Sequence, residues 1–233
     1  MNHLKRTILP IFKILTHWRE NIYFKIHHKK LNHLVQSPSP EYRDYLDMQI
    51  RRSLSKKDRS LQIRTQQFVD KIASLVDLST CNVLCIGCRN MNEINYFQKK
   101  GAKKTIGIDL YSENAAILVM DMHDMLFPDN EFDLIFSSHS LEHAYDVGKV
   151  VSEMVRVARA SATISIEAPI NFEPRGADRH DFGNLNNLHD LFKPYLNDVL
   201  FTEMQAGPTE SRLGYMRTIF TINKPQGVHA ETS

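Results

Sequence analysis

Short apolar runs alternate with amphipathic segments from residue 58 onward, and this alternation restricts the fold more than any other feature of the chain. Seven runs have the length of strands: residues 82–87, 105–109, 117–120, 132–137, 163–168, 200–204 and 217–222. Stretches with apolar residues at helical spacing lie among them: residues 61–75, 92–100, 147–158 and 188–192. Continuous apolar strands that alternate with helices are typical of a parallel sheet covered on both faces. We therefore predict an α/β fold with a mostly parallel sheet.

Length and composition exclude several classes of protein. The 233 residues suit one domain with an appendage. Hydrophobic residues make up 42% of the chain and charged residues 24%, which excludes a disordered protein. No apolar run reaches the ~18 residues of a membrane-spanning helix. Three cysteines are too few for a disulfide framework and fit a reducing compartment, so we expect a cytoplasmic protein.

Charge is distributed unevenly along the chain. Residues 1–60 hold 13 Lys/Arg and 5 Asp/Glu, whereas residues 61–233 hold 16 and 22, so a basic segment precedes an acidic body. We predict three parts: a basic amphipathic N-terminal arm with its linker at residues 1–57, one domain at residues 58–225, and a flexible tail at residues 226–233.

The first part of the arm has one apolar face if it is helical. Its members recur near 3.6-residue spacing: Leu4, Ile8, Ile11, Phe12, Leu15, Trp18 and Ile22. Lys13 and His17 interrupt the apolar core that a secretory signal needs, so we exclude a signal peptide. Residues 1–36 then have two interpretations. They form a helix on an anionic membrane surface, or a helix packed on the body or on a second copy of the chain in a homodimer.

Polar residues and one glycine follow the predicted strands. In a parallel α/β sheet, ligands bind beyond the carboxyl ends of the strands. Gly87 ends the first strand and permits a close backbone approach before a helix N-terminus. Asp109 ends the second strand, where a carboxylate accepts hydrogen bonds from ribose hydroxyls. Polar segments at residues 121–124 and 137–143 follow the third and fourth strands.

These segments together resemble a known family. VLCIGC, IGIDL, MDMHDMLFPDNEFDLIFSSHSLEHAYD and SIEAP, in this order, are similar to class I S-adenosylmethionine-dependent methyltransferases, most closely the type 11 group. The resemblance covers residues 83–169. It implies a Rossmann-like sheet of seven strands with helices on both faces, and S-adenosylmethionine as the cofactor.

The resemblance also implies roles for individual residues. Gly87, Cys88 and Arg89 would approach the methionyl part of the cofactor, and Asp109 would bind the ribose. Further along the chain, Asp121 and the Met122 backbone would contact the adenine, Ser137 would face the methionyl group and His139 would lie near the transferred methyl.

The first motif departs from the family. The family's D-x-G-x-G-x-G has its acidic residue and two of its three glycines replaced here, by Cys85, Arg89 and Met91. One interpretation is that Arg89 binds the cofactor carboxylate directly in a charge-assisted contact. The other is that cofactor binding is weakened, so that the chain is a catalytically inactive methyltransferase-like binding subunit.

Three rival interpretations use the same residues. Cys81, Cys85 and Cys88 have an iron–sulfur spacing, but strand alternation would send Cys85 and Cys88 to opposite faces if the strand continues to Cys88. His139, Glu142 and His143 have the spacing of inverted zinc peptidases, but they follow a strand rather than lie within a helix. A dinucleotide-binding oxidoreductase needs G-x-G-x-x-G, of which only the first glycine is present. We therefore expect no metal.

Catalysis and acceptor are predicted less directly. His139 and His180 are the candidate catalytic residues, with Glu167 and Asp181 as further candidate bases. The polar loop at residues 171–187 is a candidate acceptor-binding segment. No N-P-P-Y follows the fourth strand, and the arm lacks spaced aromatic residues. We therefore expect a small-molecule, sugar or lipid-linked glycan acceptor in preference to nucleic acid.

Overall fold

The computed structural model describes residues 39–207 and 214–224, which contain five α-helices and seven strands. The helices are α1 (Pro40–Ser55), α2 (Ile63–Leu75), α3 (Asn92–Lys99), α4 (Val147–Val157) and α5 (Leu185–Asp190). The strands are β1 (Asn82–Ile86), β2 (Lys104–Asp109), β3 (Ile117–Val119), β4 (Phe132–Ser138), β5 (Ala158–Ile170), β6 (Leu196–Gln205) and β7 (Gly214–Ile222). Short 3-10 helices occupy Leu78–Thr80 and Leu141–His143.

One sheet contains all seven strands in the order β3-β2-β1-β4-β5-β7-β6. The first five strands are parallel to one another, and β7 is antiparallel to both β5 and β6. The predicted mostly parallel seven-stranded sheet is therefore confirmed. The strand order reverses between β1 and β4, and in open α/β sheets this is the point where a crevice opens beyond the carboxyl ends.

Helices cover both faces of the sheet. Helices α2 and α3 pack on one face through Phe68, Ile72 and Phe97, against strand residues such as Val83 and Phe136. Helices α4 and α5 pack on the other face, with apolar positions contributed by Val150, Val151, Met154 and Leu188. Alternate residues of the buried strands serve the two layers, which explains why each strand is apolar throughout.

Strand β5 is longer than its apolar run predicted. The expected strand was 163–168, whereas the observed one begins at Ala158, directly after α4, and continues through Pro169 to Ile170. Ala158 pairs with Phe132 of β4 at one end, and Ile170 pairs with Gly214 of β7 at the other. The added partner strand β7 extends the ladder past Pro169, which alone had suggested an end.

Helix α1 occupies part of the segment that was expected to be arm and linker. Pro40 stands in its first turn, and the Ser39 hydroxyl accepts a hydrogen bond from the Tyr42 backbone N–H, so these residues begin a helix. Ile50 and Leu54 of α1 are buried in a cluster with Tyr111. The predicted boundary at residue 57 therefore does not separate α1 from the body. The predicted interfacial helix at 1–36 and the tail at 226–233 lie outside the described residues.

Within the described part of the chain, every helix is too short or too polar to cross a lipid bilayer.

Candidate functional site

The turn after β1 brings the backbone close to two other elements. Gly87 has a φ of 72° and donates its N–H to Ile108 O at 2.9 Å. A Cβ atom at this position would overlap the Ser140 hydroxyl. Both the left-handed backbone and the missing space therefore require glycine. Arg89, two residues later, also has a positive φ, of 58°.

Asp109 connects this turn to the end of β2. One carboxylate oxygen accepts the Arg89 backbone N–H at 3.0 Å, and the other accepts the Tyr111 N–H at 3.1 Å. Burial raises the pKa of Asp109, while hydrogen bonds from Tyr111 and from the Ser53 side chain, and the charge of Arg89, oppose that increase. The carboxylate is thus buried, held in position from three sides, and at the edge of a pocket.

The first pocket lies beyond the carboxyl ends of β1, β2 and β4 and encloses about 530 Å³ of space, part of it open to solvent. It is lined by the glycine turn, by Asp109 and by apolar side chains from Ile86, Ile108, Leu110, Met120 and Met122. Helix α1 forms the opposite wall with Tyr45, Gln49, Arg52 and Ser53. Sequence analysis missed this wall, although the i, i+4, i+7, i+8 spacing places these four side chains on one helical face.

A second, more polar pocket adjoins the first and shares Arg52, Gly87, Arg89, His139 and His143 with it. Its remaining lining comes mainly from the segment between α1 and α2, from the start of α3 and from the end of β5. The two pockets therefore form a continuous crevice at the point where the strand order reverses.

His139 follows β4 and lies between two buried carboxylates. Its Nε2 is 3.0 Å from Glu167 Oε1, and its Nδ1 is 3.5 Å from Glu142 Oε1. Burial alone would lower the pKa of His139, but hydrogen bonds to these carboxylates and their charges raise it above its ordinary value. The imidazolium is favoured, so His139 is better suited to donate hydrogen bonds than to accept a proton.

Glu167 is likewise a poor base in this setting. Burial would raise its pKa, but hydrogen bonds and charge from His139 and Arg217 lower the pKa of Glu167 to about 2. Arg217 on β7 donates from its Nε to Glu167 Oε2 at 2.6 Å, across the β5–β7 ladder. This ionised carboxylate holds His139 and Arg217 and has little affinity for a further proton.

His143 has the opposite protonation preference. Burial lowers the pKa of His143, so the neutral ring is favoured. Its Nδ1 lies 3.0 Å from Ala177 O, and a carbonyl oxygen only accepts, so Nδ1 carries the proton. The lone pair therefore sits on Nε2. Both histidines line both pockets, so it is the neutral ring of His143 that makes it the better proton acceptor of the two.

Asp121 and Met122, which the resemblance assigned to adenine, have different positions. Met122 lines the first pocket, whereas Asp121 does not. One oxygen of Asp121 accepts the Tyr42 hydroxyl at 2.6 Å, and the other accepts the His123 N–H at 2.9 Å and lies 2.7 Å from His123 Nδ1. Asp121 is thus engaged in fastening α1 and the His123 ring to the body.

The remaining predicted residues are divided between the pockets and the core. Cys88 lines the second pocket, but its side chain is buried. Ser137 is buried in β4 and lines neither of the two pockets. His180 lies outside both, with its Nε2 2.9 Å from Ala144 O. Asp181 accepts the N–H groups of Phe172 and Gly183, so it closes its own loop.

The loop at residues 171–187 packs against the site instead of running freely through solvent. The backbone N–H groups of Arg179 and His180 both donate to Glu142 O. Asp178 accepts two hydrogen bonds from the Arg52 guanidinium, at 2.9 and 3.2 Å. Helix α1, the 3-10 helix Leu141–His143 and this loop therefore form one connected wall.

The metal alternatives find little support in the local geometry. Glu142, His143 and Asp178 have ligand atoms within 4.8 Å of one another, but Asp178 is bound by Arg52 and His143 Nδ1 faces a carbonyl. His139 and His143 do not share a helix, because the 3-10 helix begins at Leu141. The spacing of inverted zinc peptidases therefore lacks its helical setting here.

The three cysteines are buried free thiols in one apolar layer. The strand does not continue to Cys88: it ends at Ile86, Gly87 has a positive φ, and Cys85 and Cys88 pack in the same layer. Burial raises the pKa values of Cys85 and Cys88 well above the ordinary range, which disfavours the thiolates that an iron–sulfur cluster needs.

Residues 84–166 match the family model for a methyltransferase domain. The chain is 40% identical to ajmaline N-methyltransferase of Rauvolfia serpentina over 81 residues. These residues make up 35% of this chain and 28% of that protein. The match thus spans less than a third of this curated relative.

Solved structures share the fold at low identity. The 1,6-didemethyltoxoflavin-N1-methyltransferase of Burkholderia thailandensis, with bound 1,6-didemethyltoxoflavin and S-adenosylhomocysteine, has a TM-score of 0.62 at 12% identity. That comparison covers 82% of this chain and 94% of the solved one. The [4+2]-cyclase SpnF has a TM-score of 0.59 at 13% identity, covering 79% and 95%. Residues 84–166, about a third of the chain, therefore match a methyltransferase domain, and the described residues share the fold of these solved structures.

Proposed function

We propose that this protein transfers a methyl group from S-adenosylmethionine to a small-molecule acceptor. The observation that carries the proposal is the crevice at the reversal of strand order, where Gly87 brings the backbone close and the carboxylate of Asp109 borders an apolar slot. The matched family region contains both residues and the segment that ends at His143.

The residues of the first pocket fit this cofactor. Ile86, Ile108 and Met120 supply apolar walls of the kind that suit a planar base, and Asp109 supplies an acceptor for ribose hydroxyls. The Arg89 Nε is buried without a hydrogen-bond partner among the described residues, which suits it to a carboxylate. When bound, S-adenosylmethionine supplies an activated methyl group on a sulfonium.

The chain's own task is then orientation. Displacement at a sulfonium has a good, neutral leaving group, so holding the acceptor in line contributes most of the acceleration. The second pocket opens from the first at His139 and His143 and is the proposed acceptor site. If the acceptor atom loses a proton, we assign that proton to Nε2 of His143, because both histidines border the two pockets and only the His143 ring favours the neutral form.

Known relatives support a small acceptor. The relative from Rauvolfia serpentina is named for ajmaline, and the solved methyltransferase of Burkholderia thailandensis for 1,6-didemethyltoxoflavin. A sugar or a lipid-linked glycan belongs to the same proposal, and an RNA acceptor ranks lower. The 1–36 arm remains proposed as a contact to an anionic membrane surface or to a second copy of the chain.

A catalytically weak or inactive binding subunit is the second candidate function. Two observations favour it: Arg89 replaces a family glycine, and the fold is shared by a [4+2]-cyclase, whose name is not that of a methyltransferase. A subunit of this kind would still bind a ligand in the first pocket but would give no methylated product.

Titration calorimetry with S-adenosylhomocysteine tests cofactor binding. We expect saturable heat from the full chain, and an affinity reduced about tenfold to a hundredfold in Asp109→Asn, because hydrogen bonds to a charged group are worth ~1.5–3 kcal/mol. Asp133→Asn is the matched control, since Asp133 also accepts a backbone N–H, from Asn82, at the opposite end of the sheet. Unchanged affinity in folded Asp109→Asn contradicts the assignment.

A product screen with methyl-labelled S-adenosylmethionine separates the two candidate functions. Labelled product from a small-molecule extract supports methyl transfer. In His143→Gln, the turnover rate should fall by a larger factor than the affinity for the acceptor. Binding of S-adenosylhomocysteine without labelled product from any acceptor class favours the inactive subunit.

A further inference from the structure

Three cations on the rim of the second pocket have no carboxylate partner. Lys56 follows α1, Arg59 lies before α2, and Arg89 lies in the turn after β1; all three line this pocket. Among the ion pairs of residues 39–207 and 214–224, none includes any of these side chains. The buried Nε of Arg89 also lacks a hydrogen-bond partner within the described structure.

The carboxylates near this pocket are already used. Asp178 is bound by the Arg52 guanidinium, and Glu167 is bound by Arg217. Glu142 lies against His139. Burial raises the pKa of Glu93 to about 8, so this side chain is largely protonated at neutral pH. The carboxylate charge that reaches these cations is therefore limited to Asp178, which acts on Lys56, and to Asp109, which acts on Arg89.

Their mutual repulsion is visible at Lys56. Burial, followed by the charges of Arg52, Arg89 and Arg59, lowers the pKa of Lys56 to about 8. Like charges gathered in a half-buried crevice destabilise the free protein, and an anion at the same place removes that penalty. Lys56 and Arg89 are partly buried and Arg59 is exposed, so an anion at this rim would stay in contact with solvent.

The bound cofactor accounts for only part of this charge. Its single carboxylate neutralises one cation, and its ammonium and sulfonium groups add positive charge to the same crevice. Two of the three rim cations then remain unmatched. A phosphate monoester carries about −1.5 to −2 charges at neutral pH and has three acceptor oxygens, which fits such a pair.

We propose that the methyl acceptor carries a phosphate monoester, which Lys56 and Arg59 bind at the rim of the second pocket. This inference rests on the proposed function and names its substrate class. Arginine matches the geometry of a phosphate through its forked N–H groups, and lysine contributes a compact charge. Lys56 and Arg59 flank α1 and α2, so the phosphate would also connect the wall formed by α1 to the body.

The test uses the full chain in two ordered titrations at fixed ionic strength. S-adenosylhomocysteine is titrated first, and glycerol phosphate is then titrated into the saturated protein, with citrate as a carboxylate probe. We expect saturable binding of glycerol phosphate, weakened at least tenfold in the double variant Lys56→Gln/Arg59→Gln. Arg43→Gln is the matched control, because Arg43 is an exposed arginine on α1 that does not line either of these pockets.

The order of titration separates the two proposals. If S-adenosylhomocysteine binds but glycerol phosphate does not, the phosphate acceptor is overturned and cofactor binding stands. If the double variant loses affinity for S-adenosylhomocysteine and glycerol phosphate never binds, the cations serve the cofactor and the inference is also overturned. Citrate bound as tightly as glycerol phosphate would assign the rim to a carboxylate acceptor instead. The proposal is supported if Lys56→Arg still binds glycerol phosphate and Lys56→Gln/Arg59→Gln does not.

Discussion

Arg89 holds a backbone conformation that costs free energy unless the side chain has a use. Its φ of 58° lies in the left-handed region, which costs a non-glycine residue ~1–2 kcal/mol. Arg89→Gly should therefore raise the free energy of unfolding by up to about 1 kcal/mol, as measured by urea denaturation. The same change should weaken S-adenosylhomocysteine binding about tenfold, as measured by calorimetry, because a charge-assisted contact is lost.

The distinctive expectation for Arg89→Gly is that its stability increases while its affinity for S-adenosylhomocysteine decreases. A glycine at residue 89 restores the family pattern, so tighter binding by the variant would mean that Arg89 only obstructs the pocket. Arg43→Gln again serves as a control, since it removes an exposed arginine outside both pockets and should change neither quantity.

Single residues near the site show where sequence reasoning stops. Asp109 was predicted from its place at the end of a strand, and backbone geometry alone brings it to the first pocket. Asp121 also follows a strand, yet Tyr42 and His123 engage its oxygens. Tyr42 is 79 residues away in sequence, so no local pattern indicates that contact. The end of a strand predicts where the Cα atom of such a residue lies. Contacts with residues distant in sequence determine whether its side chain faces the pocket or binds another part of the protein.

At the scale of elements, β5 and β7 are joined by the buried pair of Glu167 and Arg217. Glu167→Gln should lower the free energy of unfolding at pH 7 by about 3–5 kcal/mol, because it leaves Arg217 buried without its main counter-charge. Urea denaturation measures this loss. Glu203→Gln is the matched control: Glu203 pairs with the same guanidinium but is far more exposed, so we expect about 1 kcal/mol or less.

The same pair has a defined pH dependence. The pKa of Glu167 is about 2 in the fold and near its ordinary value of 4.5 in the unfolded chain. A carboxyl with a lower pKa in the folded state contributes stability above pH 4.5 and loses it as the pH falls toward 2. The unfolding free energy of the wild type should thus drop more steeply across this window than that of Glu167→Gln. Parallel curves would contradict the buried ion pair.

The positions of the strands and helices along the chain followed from the sequence because they depend on local apolar runs. Both apolar layers of the core contain residues from the predicted strands and helices. The length of β5 did not follow, because it depends on pairing with β7, which lies far along the chain. Helix α1 was underestimated for a related reason: its polar residues Gln49 and Arg52 are those that form the wall of the crevice and bind the 171–187 loop.

Helix α1 therefore offers a test at the scale of one element. Tyr45 is 3% exposed and lines the first pocket, whereas Met48, less than one turn away, is 39% exposed. Tyr45→Ala should lower stability by about 3–5 kcal/mol and weaken S-adenosylhomocysteine binding at least tenfold, because the variant opens one wall. Met48→Ala should change stability by no more than ~0.5 kcal/mol. Unaltered cofactor affinity in folded Tyr45→Ala would show that α1 covers the pocket without contributing to binding.

At the scale of the whole molecule, the chain has two separate groups of basic residues, one beside the crevice and one in the N-terminal segment. The basic residues that line the second pocket include Lys56 and Arg59, which lie just after α1. The cations of residues 1–36 belong to a separate group, seven Lys/Arg against one acidic residue, accompanied by an apolar stripe that includes Trp18. Binding through that group should therefore be separable from binding in the crevice.

We predict that residues 1–36 bind the chain to an anionic membrane surface, where attraction contributes about 1 kcal/mol for each basic residue near the surface. Full-length protein should co-sediment with vesicles containing phosphatidylserine at low salt and should be released by high salt, which screens the attraction. Removal of residues 1–36 should abolish co-sedimentation but leave S-adenosylhomocysteine affinity unchanged, because Ser39, which caps α1, and every residue lining the crevice remain. Neutral vesicles are the control. If full-length protein ignores anionic vesicles at low salt, the membrane role fails; the helix-packing alternative then requires the truncation to lower the melting temperature or to convert a dimer to a monomer in sedimentation.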